Sequence, residues 1–109
     1  MNERQIKTEY TKLSKLYADM PVEQRKLYDG LIHNTAFMAV ELKELQSQIA
    51  KNGAVESYTN GENQGGLKPS AALSAYNQLV KNYQAAIKTL DKALPTPSGP
   101  SKLEKLLNG

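Results

Sequence analysis

Residues 28–49 read YDGLIHNTAFMAVELKELQSQI. Tyr28, Leu31, Thr35, Met38, Leu42, Leu45 and Ile49 step through this stretch by threes and fours. That is heptad spacing, which lays one apolar seam along a helix and turns it toward a partner. Ile32, Ala36 and Ala39 widen the seam. Phe37 and Val40 fall outside it, which predicts a helix covered on more than one side. Followed to its punctuation, the pattern predicts a helix over 21–51, roughly 45 Å long at ~1.5 Å per residue. Pro21 suits its start, with Asp19 as the expected cap, and Asn52-Gly53 its end.

The same spacing recurs on both sides. Ile6, Tyr10, Leu13 and Tyr17 make an apolar stripe that predicts a helix over 2–19, interrupted at Met20-Pro21. Leu73, Tyr76, Val80, Tyr83, Ile87, Leu90 and Leu94 predict a third helix over 70–94, opened or capped by Ser70. Two heptad-patterned helices in succession predict a long antiparallel helical hairpin. The fold expected is therefore all-α, with residues 1–94 as one helical domain. Between the long helices, GAVESYTNGENQGGLKP at 53–69 shows no helical period and is expected to be a flexible loop, with Val55, Tyr58 and Leu67 able to pack down on the helices. Residues 95–109 form a proline-rich linker and a short segment, SKLEKLL. Its apolar face of Leu103, Leu106 and Leu107 is too short to hold a helix alone in water. Two fates stay open for it: docking on a partner, or packing back on its own hairpin.

Composition narrows the functions. In 109 residues there is no cysteine and one histidine, which excludes disulfides, thiolate zinc sites and cysteine nucleophiles. No apolar run approaches the ~20 residues of a membrane span, and MNERQIKTEY has no signal-peptide core; a cytoplasmic protein that does not enter membranes is the expectation. Leu, Ile, Val and Phe total 23 residues, with 11 Ala, a thin core for a lone small domain. A homo-oligomer is therefore expected. Met38, Leu42, Leu45, Tyr76, Val80 and Tyr83 are the positions expected to be buried, inside the hairpin or between subunits.

Net charge is +3 but unevenly spread. Residues 1–28 carry six basic and four acidic side chains, 29–67 two and five, and 68–109 six and two. Arg4, Lys7, Lys12 and Lys15 fall on one side of the first helix. Such a face can neutralise phosphates without reading sequence, with Arg25 and Lys26 as possible additions. A merely solvated face is the alternative. No catalytic constellation is present. Glu41 and Glu44 read as a solvated helix face. His33 has no nucleophile or orienting carboxylate at a recognisable spacing. NGENQGGLKPS lacks the strand and the Gly-Lys-Ser/Thr ending of a phosphate loop. No enzyme activity and no cofactor are expected.

The order Gly53-Ala54-Val55-Glu56, GGLKPSAAL, YNQLVKNYQAAIKTLDKALP and TPSGPSKLEKL resembles the small terminase subunit family of tailed bacteriophages. Pro69, Tyr76, Leu90, Leu94, Pro97, Lys102 and Leu103 match that pattern in type and order. Ala36-Phe37-Met38 with ELKELQSQI resembles the preceding helix, so the likeness covers about 30–107. Gly99-Pro100 stand where the family often has Arg, and the basic N-terminal extension is short. The resemblance implies a non-enzymatic packaging component of the host-cell cytoplasm. It would assemble as a helical oligomer, bind double-stranded viral DNA and recruit or regulate the large terminase subunit. A helical scaffold or adaptor without nucleic-acid binding is the alternative.

Overall fold

The computed structural model describes residues 2–59 and 65–94. The chain forms α1 (Glu3–Lys15), α2 (Val22–Asn52), β1 (Val55–Thr59), β2 (Gly65–Pro69) and α3 (Ala71–Ala93). It is mainly helical, and α2 and α3 are the long antiparallel pair that the heptads predict. Their pairing is fixed at two levels. Gln46 Nε2 donates to the Tyr76 hydroxyl at 3.2 Å near one end. Leu90 packs with Ile32 and Ala36 nearer the other.

α1 lies against the end of this pair where α2 begins and α3 finishes. There Leu13, Tyr17, Met20, Ile32, Ala36 and Leu90 form the buried core, ringed by Ile6, Tyr10, Leu16, Tyr28, Leu31, Ala93 and Leu94. The apolar stripe of the first helix is thus spent inside the chain. Of the other positions expected to be buried, Leu42 is buried, whereas Met38, Leu45, Tyr76, Val80 and Tyr83 are half-buried.

Three details differ from the sequence expectations. The first helix stops at Lys15, not at residue 19: Leu16, Tyr17, Ala18 and Met20 each donate their N–H three residues back. This tighter winding swings Tyr17 and Met20 into the core ahead of Pro21. Asp19 does not cap α2. Pro21 is the cap residue, in extended geometry (φ −53°, ψ 142°) and without a side-chain hydrogen bond.

The third difference is the segment 53–69, which is not a loop throughout. β1 and β2 pair antiparallel, with Val55 opposite Pro69, Ser57 opposite Leu67 and Thr59 opposite Gly65. On the other face Glu56 and Lys68 form an ion pair at 3.6 Å. Lys68 also sits 6.0 Å above the Tyr58 ring. Tyr58 lies over Gly66, where a Cβ would come within 3.5 Å of the ring. Cross-strand pairs of this kind stabilise a short ribbon. Val55, Tyr58 and Leu67 do not pack on the helices; all three are exposed. Residues 60–64 and 95–109 lie outside the described residues, and with them Leu103, Leu106 and Leu107.

The ribbon is joined to the helices through two caps. Gly53 takes φ 94° and ψ 158° while its N–H bonds to Ile49 O at 2.8 Å. That backbone region belongs essentially to glycine. Ser70 accepts from the Leu73 N–H at 3.1 Å, as expected of a cap residue. Its own N–H bonds to Ala54 O at 2.8 Å.

Candidate nucleic-acid interface

Positions 4, 8 and 12, and 7, 11 and 15, form two rows of steps of four that lie three residues apart, so a single face of α1 carries all six. Arg4, Lys7, Lys12 and Lys15 are exposed on it and surround one shallow depression, with Thr8 and Thr11 on its floor. Thr8 is held there by its hydroxyl, which donates to Arg4 O at 2.9 Å. The opposite face carries Ile6, Tyr10 and Leu13 against the core, so helical period alone turns the four cations outward. Their span of eleven residues is about 16 Å of helix.

Glu9 limits this face. Its carboxylate is half-buried at the edge and lies 3.7 Å from the Lys12 ammonium and 3.7 Å from that of Lys43 on α2. Part of the Lys12 charge is therefore answered inside the chain. Glu9 also adds to the upward shift of the Tyr83 hydroxyl, whose main cause is burial.

Arg25 and Lys26 are exposed but do not join this face. They border a separate groove of about 280 Å³ between α1 and α2, together with Tyr10, Ser14, Val22 and Asp29. The Tyr10 hydroxyl donates to the Asp29 carboxylate, and this bond holds the phenol pKa above its ordinary value. The Tyr10 ring stacks on His33, with centroids 3.9 Å apart and planes 19° from parallel. His33 is thus a packing partner for α1. Ser14 Oγ is buried nearby, with no hydrogen-bond partner among the described residues. The sequence reading found Tyr10 as an apolar-stripe residue but not its bond to Asp29, because nothing in local spacing relates position 10 to positions 29 and 33 on the next helix.

Among the described residues, no cluster of His, Cys, Asp or Glu is placed to hold a metal ion, and no helix is long and apolar enough to cross a membrane. No family model, no curated protein and no solved structure matches the chain.

Proposed function

We propose that this chain is a non-catalytic, self-associating DNA-binding component of phage genome packaging, of the small terminase subunit type. The observation that carries the DNA half of the reading is the convergence of Arg4, Lys7, Lys12 and Lys15 on one exposed face of α1. The packaging half rests on the sequence resemblance. Four cations spaced along one helix engage phosphates as point charges and read no bases. A single protomer therefore binds weakly, and repetition within an oligomer raises the avidity. In this reading the large terminase subunit is a second partner, docked through Leu103, Leu106 and Leu107, and the chain acts in the host cytoplasm.

The test is a salt titration of duplex DNA binding by fluorescence anisotropy. Each neutralised phosphate contributes about −0.9 to the slope of log K against log salt, so four contacts per protomer give a slope of about −3 to −4. Replacing Arg4, Lys7, Lys12 and Lys15 with Gln should flatten the slope and abolish measurable binding at moderate salt. Unchanged binding by that variant refutes the assignment.

A second reading, a helical adaptor without nucleic-acid binding, draws on the ion pairs of Glu9, which answer Lys12 and Lys43 from within the chain. It predicts no salt-sensitive DNA binding by the parent protein at all.

A further inference from the structure

α2 has three sides, and two are covered. α1 and α3 pack against it, burying Ile32, Thr35, Ala36, Val40 and Leu42. The third side follows Glu23, Leu27, Gly30, Asn34, Phe37 and Glu44, with Lys26 beside it, all exposed, and includes the half-buried Glu41. Leu27 is 80% exposed and Phe37 50%. Gly30 lies between them, and a Cβ there would meet nothing within 4 Å. It has no positive φ either. Neither backbone conformation nor internal packing requires this glycine, although it weakens the helix. A residue without a side chain on an exposed helix face lets a second helix approach closely.

We propose that this side of α2 is the contact between two copies of the chain, packed antiparallel about a two-fold axis that crosses α2 between His33 and Asn34. The self-association half of the function proposed above is what this rests on; its DNA half plays no part. The occupant is argued from self-complementarity. With the axis at that point, Phe37 of each copy faces Gly30 of the other, a ring set into a vacancy. The same register sets Lys26 against Glu41, with Glu44 one turn further. The size match and the charge match thus share one midpoint, as an isologous interface requires. Register also predicts a flaw: Glu23 faces Glu44, a like-charged pair at each end.

Sedimentation equilibrium of the full chain without DNA is the primary measurement, and a dimer that dissociates on dilution is expected. Phe37→Glu and Leu27→Glu, both at exposed positions, should raise the dimer dissociation constant at least tenfold while the helical circular dichroism is unchanged. Gly30→Leu should do the same and raise helicity. Glu23→Lys should tighten the dimer severalfold by removing the like-charged pair.

Orientation is read by oxidative cross-linking, since the chain has no cysteine of its own. Asn34→Cys should link to itself across the axis. Lys26→Cys should fail with itself but link to Glu41→Cys in a mixture. A monomer at all concentrations overturns the proposal, as does an oligomer indifferent to Leu27, Gly30 and Phe37, or self-linking by Lys26→Cys. Sedimentation and cross-linking are done without DNA, so comparing them with the separate salt titration of DNA binding shows which proposal has failed.

Discussion

The hydroxyl of Tyr17 donates to the backbone carbonyl of Leu90 at 2.6 Å, across 73 residues of chain. Both residues are almost fully buried. The Leu90 carbonyl lies in the last turn of α3, where helical partners run out. Leu94, the residue that would reach it in a continuing helix, bonds to Asp91 O at 3.2 Å instead. The phenol of Tyr17 therefore completes the end of α3 and pins the turn after α1 to it.

Tyr17→Phe should cost about 1–3 kcal/mol, because it keeps the ring but leaves a buried carbonyl without a partner. Leu90→Ala should cost about 2–5 kcal/mol through the cavity it opens. Urea unfolding followed by circular dichroism measures both. A Tyr17→Phe protein as stable as the parent would mean that water satisfies the carbonyl.

Burial holds the Tyr17 hydroxyl well above its ordinary pKa, and raises that of Tyr83 as well. The unfolded chain loses these protons near pH ~10, whereas the folded chain retains them. Their contribution to stability is complete below that pH and is lost as pH rises toward the folded values. Thermal unfolding from pH 8 to 11 should show a midpoint that falls above about pH 10. The fall should be shallower in Tyr17→Phe.

Ser70→Ala removes the side-chain acceptor of the Leu73 N–H and should cost about 1 kcal/mol. Gly53→Ala should also destabilise, here through backbone strain, since a Cβ at that position would meet only Val55 O at 3.8 Å. Because Gly53 and Ser70 flank the β-ribbon, hydrogen exchange at Val55–Thr59 should accelerate in both variants more than exchange at Ile32–Val40.

Glu9→Gln should tighten DNA binding if the basic face of α1 meets phosphates, because it releases Lys12 and Lys43 from their shared carboxylate. A rise of severalfold at low salt, vanishing at high salt, is expected. Unaltered or weaker binding would place the phosphate contacts elsewhere.

Deletion of residues 101–109 addresses the tail. Association with the large terminase subunit should be lost while helicity and self-association persist, if Leu103, Leu106 and Leu107 dock on that partner. A pull-down with full-length and truncated chains separates this from packing on the hairpin, which would instead lower stability.

By itself, the sequence determined the helices. Threes-and-fours spacing in 28–49 and 73–94 reports a local geometry, and Ser70 and Gly53 act on their own neighbours, so both were legible without a fold. The clustering of Arg4, Lys7, Lys12 and Lys15 was legible for the same reason, since residues on one helix share a face by period alone. The ribbon was missed although Val55, Tyr58 and Thr59 are β-favouring and Asn60-Gly61 follows them. Its strands become visible only as pairs, through Ser57 facing Leu67 and Glu56 facing Lys68.

Only the tertiary structure decided which apolar residues were spent and which were left over. Phe37 and Val40 both lie off the heptad seam, yet Val40 is buried and Phe37 is half exposed. Arg25 and Lys26 likewise share the basic N-terminal third with Lys7 and Lys12 but border a different groove. Periodicity sets the angle of a side chain about its own helix axis. It does not say on which side the next helix will lie, and that depends on the turn at 16–21 and on the Tyr17 bond to Leu90.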